Sequence, residues 1–302
     1  MRLLDCHIAA VQQTIAAMER YYCVQRVQKD GIRTLEKGDG FVGWMTHHWT
    51  SRESEIDLHT HVITMNGCMG ADGKWRAIED HQMSKALWLG SLYRNYLGQQ
   101  VQGIGYKIRE KQLEKGGYSF EIEGYSDKDI DEFSTRHKQI SEAKQKGLSD
   151  QEAWYTTRKD KEEEISLGEL FEKTIAQKAA IGCTGQSFPM TMNLRPIGKV
   201  DATSVVDRAI AHLSHGSCRF SQAELLAECF DHIERVRLKA VESEIAAHPE
   251  LIDYGVIRGI DYLKGEYTTA GALERETAII QRWMRGQGQT MGCEVQWNGK
   301  QG

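Results

Sequence analysis

Three histidines in an H-x(10)-H-x-H array, His48, His59 and His61, constrain this chain more than any other feature. Val62, Ile63 and Met65 follow at once, and their apolar, partly β-branched character makes the segment a strand. Residues two apart on a strand project from one face, so His59 and His61 aim at the same point. His48 joins them if the intervening residues turn back as a hairpin-like loop. Three neutral imidazoles that leave coordination positions open suit a catalytic metal site better than a closed structural one. Asp57 and Glu55 are the candidates for orienting a ligating ring from behind.

The surroundings of the array carry a resemblance. The run "H-x-T-S-R-x(5)-L-H-T-H-V" from His48 to Val62, then Asn66 and Asp72-Gly73-Lys74-Trp75-Arg76, resembles the third motif of the TrwC/TraI-type (MobF) conjugative relaxases. The likeness continues through Ser91–Leu97, Gly103–Tyr106, Gly117–Gly124 and Phe133–Arg136, and covers most of the first 160 or so residues. It implies an α+β fold, the antiparallel-sheet histidine-hydrophobe-histidine (HUH) fold of single-stranded-DNA nicking enzymes. It also implies His48, His59 and His61 as metal ligands, with His48 preferred to His47 by its spacing to Thr50-Ser51-Arg52. In that family the metal polarises the scissile phosphate and a tyrosine attacks it, leaving a 5′-phosphotyrosine. The resemblance implies Mg²⁺ or Mn²⁺, whereas imidazole ligands by themselves favour Zn²⁺ or another transition ion. Arg76, Tyr93 and Arg94 are candidate DNA contacts, arginine pairing with phosphate and tyrosine stacking on a base.

Family members place a nucleophilic tyrosine close to the N-terminus, ahead of an aspartate that activates it. Here Met1 opens directly on a helix, Leu3-Leu-Asp-Cys-His7-Ile-Ala-Ala-Val11. The expectation is therefore a relaxase fragment, incomplete at its N-terminus, with no catalytic residue of its own. Such a fragment binds single-stranded DNA and a divalent metal but does not nick alone, and its metal-bearing strand has an unpaired edge. Tyr21 and Tyr22 are the substitute nucleophiles to test, although they lie at the far end of that first helix. The alternative reading is a non-catalytic interaction module of a DNA-transfer apparatus, partnered by other transfer proteins and carrying a vestigial metal site.

No nucleotide site is expected. A phosphate-cradling loop needs G-x(4)-G-K-[ST], and Gly73-Lys74, Gly198-Lys199 and Gly299-Lys300 lack both the earlier glycine and the following hydroxyl. The formal net charge of −5 argues against a protein that coats polyanions generally. Residues 74–115 nevertheless hold eight basic side chains against four acidic ones, either a phosphate-facing surface or an ordinary solvated face. Seven scattered cysteines without a C-x-x-C pair fit reduced thiols, and no apolar run approaches a membrane span, so the chain reads as cytoplasmic.

Hydrophobic spacing predicts a helix over residues 2–28, a turn at Lys29-Asp30-Gly31 and strand-like pieces near residues 33–35 and 40–45. It also predicts a helix over residues 81–102 and a hairpin from residues 106–109 and 118–122. A charged helical region follows and ends in the acidic run at residues 159–164. Glycines and two of the three prolines cluster around residues 180–200. The organisation expected is a partial relaxase domain at 1–180, a linker at 181–200, and at 201–302 a helical lead-in to an absent helicase domain. Ser221 and Glu224 have capping-box spacing within that last part.

Overall fold

The computed structural model describes residues 2–51, 53–79, 88–113, 117–158, 166–183, 201–232, 236–254 and 266–286. Helix α1 (Arg2–Tyr22) buries His7, Ala10, Val11 and Ala17, a helical spacing that turns one stripe inward. The helix stops at Tyr22, short of the residue 28 expected from the sequence. What ends it is a hairpin. Strands β1 (Val24–Lys29) and β2 (Ile32–Lys37) pair antiparallel with Lys29 opposite Ile32, leaving Asp30-Gly31 as a two-residue turn. Both turn residues have positive φ, +52° and +80°, the geometry for which tight hairpins select Asp-Gly. Once that turn sets the register, the six residues before it are committed to the strand.

Strands β3 (Gly43–Thr50) and β4 (Ile56–Thr64) form the ribbon that carries the histidines. The short pair β5 (Cys68–Met69) and β6 (Trp75–Arg76) follows, its turn passing through Gly73 at φ +73°. Helix α2 (Trp88–Gly103) leads into the hairpin β7 (Ile108–Gln112) and β8 (Tyr118–Ile122), as the glycine-separated strand signals predict. Four helices come next: α3 (Asp127–Glu132), α4 (Thr135–Gln145), α5 (Asp150–Thr156) and α6 (Leu167–Ala180). Serine capping boxes open three of them, Ser126 with Asp129, Ser149 with Glu152 and Ser166 with Glu169. All the described strand pairs are antiparallel, so the architecture is α+β as expected.

The C-terminal part is mainly helical and also contains a small sheet. Its order is α7 (Ala202–Gly216), β9 (Phe220–Ser221), α8 (Gln222–Cys229), α9 (Leu238–Ala247), β10 (Leu251–Asp253), β11 (Glu266–Thr269) and α10 (Ala270–Gly286). The strands pair in the order β10-β11-β9, which with α7, α8 and α9 is the connectivity of a winged helix. The Ser221–Glu224 capping box does open α8. The strands are two to four residues long, too short for alternation to register in the sequence.

One core runs through both parts. Tyr22 of α1 and Trp88, Leu89 and Leu92 of α2 share a cluster with Val205, Val206, Leu225, Phe230 and Val241. Trp88 Nε1 donates to Tyr22 Oη at 2.6 Å, and Arg20 pairs with Glu242 of α9 at 2.8 Å. From residue 184 on, the expected linker lies outside the described residues, as do the acidic run at 159–164, Arg52, Cys293 and residues 287–302. Among the described residues no helix is long and apolar enough to cross a membrane.

Two outcomes follow from this packing. Leu92 is fully buried in the core shared by both parts, so Leu92→Ala should lower stability by about 2–5 kcal/mol. Because the core is shared, thermal unfolding of that variant should stay a single transition that includes the C-terminal helices. Cys23 is buried against Cys68, and burial first, then that neighbouring thiol, pushes its pKa up to about 12. Alkylation followed by mass spectrometry should label the exposed Cys218 in the folded chain, and Cys23 only after denaturation.

Candidate metal centre

The β3–β4 register assembles the histidine face. His48 lies directly opposite His59, and Thr46 lies opposite His61, so His48, His59 and His61 share one side of the ribbon. Their ring centroids are 5.3 Å (His48–His59), 5.2 Å (His48–His61) and 5.1 Å (His59–His61) apart. Imidazole nitrogens held about 2.1 Å from a shared tetrahedral ion put ring centroids roughly 5 Å apart, so the near-equilateral triangle has ligand dimensions. Among the described residues, however, no three His, Cys, Asp or Glu side chains form a ready-made ligand cluster. The spacing of the ring centroids is compatible with a shared ion, while the side chains as placed do not form a ligand cluster.

One tautomer is already set. His59 Nδ1 lies 2.9 Å from the carbonyl oxygen of Asp57, which can only accept, so in the neutral ring Nδ1 carries the proton and Nε2 keeps its lone pair. The Asp57 carboxylate is 3.7 Å from the same nitrogen. Asp57 therefore orients His59, chiefly through its backbone. Glu55 does something else: its carboxylate accepts from Thr135 N at 3.1 Å and from Thr135 Oγ1 at 2.5 Å, holding the N-terminus of α4. The loop between the strands is tied further by Lys173 of α6, whose Nζ donates to Ser54 O at 3.1 Å. A register shift between His48 and Thr50 begins the loop, and Ser54 sits at φ +53° within it. The hairpin-like return that His48 requires is present.

The other side of the ribbon carries His47, considered in the sequence only as a rival ligand to His48, and it meets His7, which the sequence suggests is a local cap or surface residue and which is instead buried. Thr60, between His59 and His61, points away from them and lies opposite His47. Its Oγ1 is 2.7 Å from His7 Nε2 and 2.8 Å from His47 Nδ1. His7 Nδ1 is in turn 2.8 Å from Tyr93 Oη. His7 is only 5% exposed, and burial, followed by the neighbouring His47 and His59, holds its pKa below the ordinary imidazole value. A sequence signal did exist: His7 falls in the inward stripe of α1, and strand alternation sends His47 and Thr60 to the face opposite the triad.

The three candidate DNA contacts are distributed differently. Arg76 lies at the edge of the β5–β6 turn and forms a two-pronged pair with Asp72, at 2.8 Å and 2.6 Å. That pairing holds the Asp72 carboxyl well below the usual carboxylate range. Tyr93 faces His7, and burial raises its phenol pKa. Arg94 is half-buried, donating from Nε to Tyr118 O at 2.8 Å and from a terminal nitrogen to Ser91 Oγ at 3.1 Å. The tyrosines considered as substitute nucleophiles stand in the core. Tyr21 donates to Glu242 at 2.5 Å, with its pKa raised by burial and then by that carboxylate, and Tyr22 is 5% exposed. Along α1 they lie roughly 20 Å from His7, at about 1.5 Å per residue.

Comparisons with known proteins identify the family to which this fold is related. Residues 1–181 match the TrwC relaxase family. The multifunctional conjugation protein TraI of Escherichia coli K12 is 26% identical over 249 residues, which is 75% of this chain and 14% of TraI. Among solved structures, conjugative relaxase TrwC bound to oriT DNA in a copper-bound form is 27% identical with a TM-score of 0.54, over 60% of this chain and 64% of that one. TrwC with a 27-mer DNA comprising the recognition hairpin and the cleavage site is 26% identical at TM-score 0.54, over 60% and 66% of the two chains. Metal-free and metal-bound TrwC complexes with oriT DNA are similar as well. The chain thus spans a small part of TraI and just under two thirds of the TrwC structures. With three histidines on one face of an antiparallel ribbon and the family matched over residues 1–181, the chain belongs to the TrwC relaxase family.

Proposed function

We propose that this chain binds single-stranded DNA together with a divalent metal ion held by His48, His59 and His61, in a role related to nicking at a transfer origin. The observation that carries this reading is the 5.1–5.3 Å triangle of imidazole rings on one face of β3–β4. When bound, the ion supplies Lewis-acid polarisation and orientation of a phosphate oxygen. His59 presents Nε2 because Asp57 holds its Nδ1 proton, and β3 brings His48 into the same face. The ligand chemistry admits Mg²⁺, Mn²⁺ or Zn²⁺, and TrwC offers a copper-bound precedent. Arg76 is the DNA contact best supported, since it lies near solvent and exchanges one carboxylate for a phosphate at small cost. Tyr93 and Arg94 are the other two proposed DNA contacts, Tyr93 also meeting His7 and Arg94 meeting β8. The intracellular DNA partner makes the cytoplasm the natural location.

We propose further that the described residues bind DNA without cutting it by themselves. Tyr21 and Tyr22 are committed to the core contacts that join α1 to α2 and α9. A Tyr22→Phe variant should therefore leave the yield of any covalent protein–DNA adduct unchanged, measured on denaturing gels with labelled single-stranded DNA. A different observation favours the interaction-module reading: α10 exposes Ile279, Ile280, Trp283 and Met284. Capture of a transfer protein that survives His59→Ala but not Trp283→Ala would support that alternative.

Calorimetric titration of Mn²⁺ should show one site, absent from the His59→Ala/His61→Ala double variant. A folded wild-type chain that takes up no metal would overturn the reading. Arg76→Ala should weaken single-stranded DNA binding several-fold and flatten its salt dependence by about one phosphate contact.

A further inference from the structure

We propose that His7, Tyr93 and Thr60 form a positioning relay that sets metal affinity at the His48–His59–His61 face from the opposite side of the ribbon. This rests on the metal-binding reading above. Apolar packing does not hold the ribbon. On the side facing α1 and α2, Met45 and Val62 are 40% and 38% exposed, and on the histidine side Trp44 and Ile63 are 58% and 46% exposed. Apolar burial therefore gives β3–β4 little purchase on the rest of the fold.

Polar contacts take its place. Thr60 lies between two of the three proposed ligands in sequence, so fixing its side chain fixes the peptide units on which His59 and His61 stand. Its hydroxyl meets His7 from α1 and His47 from β3, and His7 meets Tyr93 from α2. The chain thus ties four elements together. It is satisfied in either direction. Tyr93 O–H can donate to His7 Nδ1, His7 Nε2–H to Thr60 Oγ1, and Thr60 O–H to His47 Nδ1. Reversed, every link again has one donor and one acceptor. With His7 buried, a broken link leaves polar atoms without water to replace it. His7 also packs edge-on against Tyr93 and His47, with centroids 5.9 Å and 6.5 Å apart, which limits how far its ring can turn.

The test compares Mn²⁺ affinity by calorimetry in the full chain carrying Thr60→Val, Thr60→Ser or Tyr93→Phe, with melting temperatures recorded alongside. Thr60→Val keeps the shape and removes the hydroxyl, and affinity should fall about 10–100-fold with one site still counted. Thr60→Ser restores the hydroxyl and should bind within a few-fold of wild type, a rescue that loss of packing alone does not give. Tyr93→Phe, which removes the far end of the relay from a helix outside the ribbon, should also weaken binding. If Thr60→Val does not fold, Tyr93→Phe carries the test. Wild-type affinity in Thr60→Val or in Tyr93→Phe overturns the relay while leaving the metal site standing. An equal fall in Thr60→Val and Thr60→Ser also overturns it, and absence of metal binding in the wild-type chain overturns the relay and the metal site together.

Discussion

The pairing of His48 with His59 across β3–β4 is the constraint on which the rest of the site depends. Side chains alternate along a strand, so a slip of one residue would send His59 and His61 to the other face and bring Thr60 beside His48 instead. In the observed register both faces are chemically coherent. One gathers three imidazoles into a triangle, and the other gathers His47 and Thr60 against His7. A misregistered ribbon would lose both sets of contacts at once, which is how polar groups on an exposed ribbon come to specify a single alignment.

The support for that register is spread over distant parts of the chain. The loop between the strands is held by Glu55 against the start of α4 and by Lys173 of α6. The inner face is held by α1 and α2, which are themselves fixed by a core that includes α7, α8 and α9. Glu242 of α9 engages both Arg20 and Tyr21, so the helix that would read DNA in an ordinary winged helix is turned inward onto α1. The C-terminal helices thus share one core with α1 and α2.

Much of the local structure was legible in the sequence because its causes are local. The strand at residues 56–64, the β7–β8 hairpin and the cap of α8 follow from alternation, glycine punctuation and Ser-x-x-Glu spacing. The sequence predicts too long a first helix because the apolar spacing of Val24 and Val27 fits a helix or a strand, and the Asp30-Gly31 turn decides for the strand. Strands β9 to β11 were missed because two to four residues carry no period. Glu55 was misjudged because its partner, Thr135, lies 80 positions away.

The sequence by itself determined the candidate ligands, the α+β class and the family resemblance, since these depend on residue identity and short spacing. Tertiary structure alone decided that His48 lies on the same face as His59 and His61, that Thr60 and His47 are met by His7, and that Tyr21 and Tyr22 belong to the core. The physical reason is that each of these facts is a contact between segments far apart in the chain. Their formation depends on packing and on the pairing of buried polar groups, which leave only a weak trace in the local order of residues.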